Sequence, residues 1–310
     1  MKKSLKSFSA LLFAVILTFC SCQLNPPEPP ISLENVPAYS GSAYVAINGN
    51  EPHFTDEEKA TVESYEFYSE LDTLGRCGYT VACVGKDIMP TEDREEISSV
   101  YPSGWRNEST KKSYNKKYDT SLVSGGYIYN RCHLIGFQLT GENDNERNLI
   151  TGTRYLNIDG MLPFENMVAD YVKETSNHVM YRVTPVYDGY NLVASGVLIE
   201  GYSVEDKGEG ICFCVYAYNV QPGIVIDYKT GNNRLATEGE FPEIENAETD
   251  ESEVVTVTYI LNKKSKKIHI ESCSGVASMS EANKQIFTGN ARELIENEGY
   301  TSCGTCKPFG

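Results

Sequence analysis

The chemically capable side chains of this 310-residue chain crowd into one stretch, Tyr127 to Glu165, which reads YIYNRCHLIGFQLTGENDNERNLITGTRYLNIDGMLPFE. His133, Arg131, Arg147, Arg154 and the amides of Asn130, Asn148 and Asn157 stand here among apolar and aromatic neighbours able to hold them still. A histidine exchanges its proton near neutral pH and so suits a general base. An arginine offers a fork of donors that fits a phosphate, and an amide or carboxylate oxygen suits a hard divalent cation. The stretch therefore holds groups that can move a proton, grip an anion and anchor a metal.

The elements that must position these groups follow from the local text. Tyr127, Ile128 and Tyr129 read as a short strand, which puts Asn130, Arg131 and His133 at its exit into a loop, where chemistry tends to collect. Thr151 to Asn157 has helical character and places Asn157 one turn after Thr153 and Arg154. In an unbroken helix, Asn157 and Glu165 would lie about 12 Å apart along the axis and roughly 80° apart around it, too far to share an ion directly. Gly160 and Pro163 argue for a break, with Pro163 opening a second, amphipathic helix to Thr175. Its apolar stripe is Phe164, Met167, Val168, Tyr171 and Val172. After the break Glu165 can fold back toward the same ion, through a bound water. Cys132 and His133, adjacent on an extended segment, point to opposite faces, which disfavours a thiol nucleophile served by that imidazole.

Asn130-Arg131-Cys132-His133 resembles the Asp-Arg-Gly-His motif of the DNA/RNA non-specific endonucleases, the ββα-metal group, and the surrounding text is similar to its DNA-entry nuclease branch. The spacing agrees: Asn157 follows Asn148 by nine residues and Glu165 follows Asn157 by eight. The similarity extends from Val36 to Gly231. It implies an α+β fold and a metal-dependent phosphodiester hydrolase acting on DNA, with RNA as a second substrate. It gives His133 the role of general base, Asn157 that of ligand to Mg²⁺ (or Mn²⁺), and Arg131 a phosphate contact. Glu165 completes the catalytic set, and the products carry 5′ phosphates. Arg147 and Arg154 are further candidates for the substrate strand; Asn148 is divided between a substrate contact and an Asn that stabilises a turn. Two positions depart from the motif: Asn130 replaces a carboxylate with an amide, and Cys132 replaces a glycine.

The remainder of the chain frames this site. Met1 to Lys6 is basic and Ala10 to Phe19 apolar, too short to span a bilayer: an export signal. Cys22, before the Pro-rich QLNPPEPP, resembles the lipidated residue of bacterial lipoproteins, with Cys20 as the alternative and simple secretion as the other reading. The protein is thus expected to work outside the cytoplasm, held to a membrane by a lipid. The expected organisation is signal peptide 1–22, spacer 23–35, nuclease domain 36–232, acidic linker 233–253 and a C-terminal module 254–310. The net charge of −16 runs against a nucleic-acid partner. Much of that acid, however, lies in the linker, TEGEFPEIENAETDESE, while Lys111, Lys112, Lys116, Lys117 and the three arginines make the site locally basic; a solvated lysine loop is the equal alternative for the first four.

Strands are expected at Ala43–Ile47, within GYTVACVG, and at His178–Tyr187, Leu192–Tyr202 and Ile211–Val220, the last three as an antiparallel meander. Asp56–Leu71 reads as loop and short helix. In the C-terminal module a strand at Val254–Asn262 precedes His269, Cys273, a helical stretch near Ser280–Glu298, then Cys303 and Cys306. Two ligand pairs at these spacings fit tetrahedral Zn²⁺, and the module resembles the small metal-binding domain of Ada-type DNA-repair proteins, with His269 where that family has a cysteine. A disulfide, favoured by export, is the competing arrangement. Among the other cysteines, Cys77 with Cys132 or Cys77 with Cys83 are the bridges considered. A functional alternative is a catalytically inactive surface protein that keeps the scaffold and binds nucleic acid or adheres.

Overall fold

A computed structural model describes residues 31–241 and, further on, 258–270, 273, 276, 279–288 and 300–303. The chain divides into two compact units, Met1–Glu243 and Ile244–Gly310. In the first unit the strands are β1 (Tyr44–Ala46), β2 (Tyr65–Tyr68), β3 (Thr80–Val84), β4 (Tyr129–His133), β5 (Leu149–Thr153), β6 (Val179–Val186), β7 (Gly196–Ser203), β8 (Cys212–Tyr218), β9 (Ile224–Ile226) and β10 (Asn233–Leu235). The helices are α1 (Phe137–Thr140) and α2 (Leu162–Thr175).

Six strands form one antiparallel sheet in the order β1-β8-β7-β6-β3-β2. Its central strands are β-branched and buried on both faces: every residue of β3 and β6 is buried. On one face Ala82, Val84, Tyr181, Val183, Ile199 and Val215 pack against Leu156 and the Phe164, Val168 and Val172 stripe of α2. The opposite face presents Val81, Cys83 and Met180 to Phe54 and Val204. A third cluster gathers Trp105, Val123, Ile128, Tyr129, Ile224 and Ile226 beside β4. β4 and β5 pair only with each other, His133 opposite Leu149 and Tyr129 opposite Thr153, and the chain then turns directly into helix. The result is a two-strand and one-helix unit set against the larger sheet, an α+β ββα arrangement of the expected class.

Several local expectations are corrected. Asn130 and Arg131 lie inside strand β4 and only His133 stands at its exit, because β5 supplies a ladder for the whole of Tyr129–His133. Thr151 and Thr153 are strand, as their branched side chains favour, and helix starts only at Arg154. No break separates Asn157 from Glu165: Leu156–Met161 is a π-turn, with the Leu162 N–H donating to the Asn157 carbonyl, and α2 follows without interruption. Such a wide turn inside a helix is frequent at functional sites. Gly160 serves packing here, since a Cβ would lie 3.2 Å from both Ala217 and Leu156. Met167 is 40% exposed and lies off the core stripe.

At the edges of the unit, residues 65–68 are a strand where loop and helix were expected, paired to β3. Ile31, Leu33 and Val36 pack on the core, and β10 pairs with β9, so the folded unit extends past both expected borders of 36–232. Neither considered disulfide forms: Cys77 donates to the Glu146 and Leu149 carbonyls at 3.3 Å, Cys83 to Thr61, and Cys132 lies elsewhere.

The C-terminal unit carries a sheet in the order β13-β11-β12-β14, with β11 Thr258–Asn262, β12 Lys267–Ile270, β13 Lys284–Thr288 and β14 Thr301–Ser302. Its small core is Tyr259, Leu261, Ile268 and Tyr300. The helix expected near 280–298 is replaced over 284–288 by β13, which pairs with β11; residues 289–299 lie outside the described part. Residues 1–30, with Cys20 and Cys22, and 242–257, most of the acidic linker, also lie outside it. No helix among the described residues is long and apolar enough to cross a membrane.

Candidate active site

His133 ends β4 facing away from the core that takes Cys132, as strand alternation requires. Its Nε2 lies 2.8 Å from the carbonyl oxygen of Asn143, which can only accept, so Nε2 carries the proton and Nδ1 is left as the acceptor. The second neighbour agrees, for an Arg94 terminal nitrogen donates to Nδ1 at 3.2 Å. Burial pushes the imidazole down to about 4, and the Arg94 charge acts in the same direction against the pull of the Asn143 carbonyl. At neutral pH the ring is therefore neutral, with one oriented lone pair.

The helical run after β5 brings the oxygen donors in. Asn157 sits in the π-turn, half-buried, its Oδ1 accepting from the Cys132 thiol at 3.0 Å. Cys132 is fully buried, touches the Met161 sulfur at 3.4 Å, and has its thiol pushed well above its usual range by burial. Glu165, in the first turn of α2, reaches the backbone of the loop after His133: a Cβ on Gly136 would stand 2.6–2.8 Å from its carboxyl atoms, so only glycine leaves the carboxyl its place. Burial pushes that carboxyl up to about 7, opposed by a Gln138 hydrogen bond and the Arg94 charge. A carboxyl raised by desolvation gains from a nearby cation. Oxygen donors, Asn157 directly and Glu165 through a bound water, suit Mg²⁺ or Mn²⁺ better than a thiophilic ion.

The arginines divide. Arg131 spends its guanidinium on the carbonyls of Val100 at 2.5 Å and Ser98 at 2.8 Å, stacks 4.3 Å from the Trp105 ring, and so ties down the loop that carries Arg94. Arg154 lines a cleft of about 390 Å³ together with Arg94, Arg131, Asn130 and Tyr127. Arg147 pairs with Glu70 at 2.9 Å on an exposed surface and is absent from that lining. Asn148 is fully buried, and its amide both accepts from and donates to the Ile135 backbone at 2.9 Å. That side chain braces the turn after His133 and does not reach a substrate.

Sequence reasoning passed over two residues. Arg94 lies in a loop of mixed charge, TEDREE, with no motif to mark it, and only the fold brings it to the imidazole. Asn143 holds His133 by its backbone and the loop by its side chain, whose Oδ1 accepts from the Glu95 N–H at 3.1 Å. A backbone carbonyl leaves no trace in residue type. In the C-terminal unit His269, Cys273 and Cys303 offer ligand atoms all within 4.8 Å of one another, with His269 Nδ1 3.4 Å from the Cys273 sulfur. Cys306 lies outside the described residues.

Comparison with known proteins agrees with this fold. A deoxyribonuclease of Streptococcus dysgalactiae subsp. equisimilis is 31% identical over 173 residues, which is 52% of this chain and 51% of that protein. The chain thus spans about half the length of that curated relative. The structure of Sda1 nuclease with bound zinc ion aligns at 28% identity and a TM-score of 0.52, covering 63% of this chain and 97% of that one. NucA from Streptococcus agalactiae, solved with magnesium ion bound, shares the fold at 23% identity and a TM-score of 0.53, over 64% of this chain and 88% of that one. A sequence model described as DNA/RNA non-specific endonuclease matches residues 56–205, the span that holds β2 to β7 and every residue of the site just built.

Proposed function

We propose that the chain is an exported, metal-dependent endonuclease of low sequence specificity that hydrolyses phosphodiester bonds of DNA, and of RNA as a second substrate. The observation that carries this reading is the His133 tautomer: Nε2–H is spent on the Asn143 carbonyl, so Nδ1 is the free base at the head of a ββα unit. Arg94 donates to that lone pair, and an arriving phosphate draws the guanidinium onto its own oxygens, which frees Nδ1 to take a proton from water. Arg94 then steadies the charge that builds on the phosphate. Asn157 would hold a divalent ion, with Glu165 reaching it through a bound water, and that ion would polarise the phosphate and ease departure of the 3′ oxygen; the zinc in the Sda1 nuclease structure accords with a divalent ion in this fold. Products are expected to carry 5′ phosphates. Arg131 acts by fixing the Arg94 loop.

Export and lipid attachment at Cys22 rest on the N-terminal sequence. A structural Zn²⁺ on His269, Cys273, Cys303 and Cys306 is supported by the close grouping of the first three; metal analysis of the purified chain is expected to find about one zinc per molecule, lost together with the fold of this small unit on strong chelation. The activity test is degradation of supercoiled plasmid by residues 23–310 with Mg²⁺, with chelator, and by His133→Ala. Cleavage by the wild type alone, and only with metal, establishes the hydrolase. A folded, metal-supplied wild type that leaves plasmid intact overturns the reading in favour of an inactive surface binding protein.

A further inference from the structure

The cleft beside the base has a chemistry of its own. Its charged lining is Arg94, Arg131 and Arg154, with no Asp or Glu in the walls, although the chain as a whole carries 43 acids against 27 Lys and Arg. Arg154, which lines the cleft, has no hydrogen-bond partner for its buried Nε among the described residues, so its guanidinium is not spent on a carboxylate of the fold. Tyr127 forms part of the same lining yet is 53% exposed, with the Lys117 ammonium 5.7 Å from its ring centroid. Amides of Asn115 and Asn130 complete a polar rim. An unpaired anion site and a cation-backed aromatic face in one cleft of about 390 Å³ ask for a ligand with a phosphate at one end and a flat ring at the other.

Resting on the nuclease reading above, we propose that this cleft is a nucleotide subsite: a phosphate next to the scissile bond lies on Arg154, and the attached base lies flat on Tyr127. In a duplex the base faces are covered by their neighbours, so Tyr127 can meet one only when the base is free to swing out. The enzyme therefore prefers single-stranded nucleic acid, or strands that open locally, and shows little preference for base identity because every base has a π-face. The exposed Tyr101, with Arg106 3.9 Å over its ring, stands on the loop held by Arg131 as a second platform for the same strand.

The test measures binding apart from turnover. Full-length protein carrying His133→Ala is titrated by fluorescence anisotropy with a fluorescein-labelled 12-mer, single-stranded and as a duplex, at matched salt. Binding of the single strand is expected to be about tenfold tighter than that of the duplex. Adding Tyr127→Ala should weaken the single strand by about tenfold and the duplex not at all, and Tyr127→Phe should restore it. Equal weakening of both forms, or none, overturns the subsite. Cleavage by the unsubstituted protein is followed in parallel. Tyr127-dependent binding without any cleavage would sink the hydrolase and leave the subsite standing; cleavage with no Tyr127 dependence would do the reverse.

Discussion

Arg182 and Arg154 are both drawn into the same unit, and their surroundings treat them in opposite ways. Arg182 is completely buried in β6, opposite Glu200 of β7. Its Nε donates to Glu200 at 2.8 Å, a terminal nitrogen to Glu58 at 3.2 Å, and the cation lies 4.5 Å over the Phe54 ring. The other oxygen of Glu200 accepts from the His53 backbone at 2.6 Å and lies 2.9 Å from its ring. Around Arg154 and Arg94 there is no carboxylate in the cleft wall, and the nearby imidazole is held neutral. Charge that is matched within the fold has no work left to do outside it; charge left unmatched beside a neutral base is arranged for something that arrives. The same residue type thus marks structure in one place and chemistry in the other.

The largest expected effect separates the two regions by activity. His133→Ala should lower plasmid cleavage by about 10²–10⁴-fold per folded molecule, a loss far larger than the modest drop in melting temperature expected from removing a buried ring. Glu200→Gln should do the opposite. Removing one of the two carboxylates leaves Arg182 with Glu58 alone and costs ~3 kcal/mol of stability, read by urea denaturation, while cleavage per folded molecule at low temperature stays unchanged. A Glu200→Gln protein that is stable but inactive would erase the distinction.

Glu165 sharpens the comparison through pH. Its carboxyl titrates near 7 when folded and near 4.5 otherwise. Between those values the folded chain keeps a proton that the unfolded chain has released, so this group lowers stability as pH rises from about 4.5 to 7, by up to ~3 kcal/mol. His133 acts with the opposite sign: the unfolded chain takes up a proton as pH falls below 6.5, the folded ring refuses it until about 4, and stability is lost on the acid side. Glu165→Gln removes the first slope and leaves the second. In metal-free protein the variant should therefore gain melting temperature over wild type at pH 8 and gain almost nothing at pH 5. Mg²⁺ should reverse the order at pH 8, since the wild-type carboxylate then has a cation beside it. An equal gain at both pH values would mean that the carboxyl is not desolvated.

What the sequence disclosed, and what it hid, follows the same physics. The α+β class, the meander of β6 to β8 and helix α2 were legible because period-two and helical stripes of apolar residues record which face is buried. The short strands β4 and β5 were displaced by a few residues, since the run from Thr151 mixes branched side chains with glycine and its pairing partner lies twenty residues upstream. The residues at the imidazole fared according to how they act. His133 stands in a motif of fixed spacing, but Arg94 comes from a loop 39 positions earlier and Asn143 acts through its carbonyl oxygen. Arg131, read as a phosphate contact, is spent on the two loop carbonyls, a partnership that side-chain type alone does not reveal.

The smallest effect concerns the contact that distinguishes this chain from its own motif. Where the related motif has glycine, Cys132 extends toward Gly152 of the paired strand; a Cβ on Gly152 would stand 2.6 Å from that of Cys132 and 3.1 Å from its sulfur. Strand β5 carries no side chain where Cys132 of β4 takes the space, and the thiol so accommodated reaches the Asn157 amide. Gly152→Ala should therefore overpack the pair and cost about 1–3 kcal/mol, with weakened response to Mg²⁺ as Asn157 is displaced. Cys132→Gly on its own loses the thiol contact, leaves a small cavity in the core and adds backbone freedom to a strand, for about 2–3 kcal/mol. The two changes together exchange the positions of the glycine and the larger residue. Their combined cost should fall short of the sum of the separate ones by about 1 kcal/mol, measurable as a double-mutant cycle in urea. Strict additivity would mean that Cys132 and Gly152 do not share this space, and that Asn157 owes its placement to the π-turn alone.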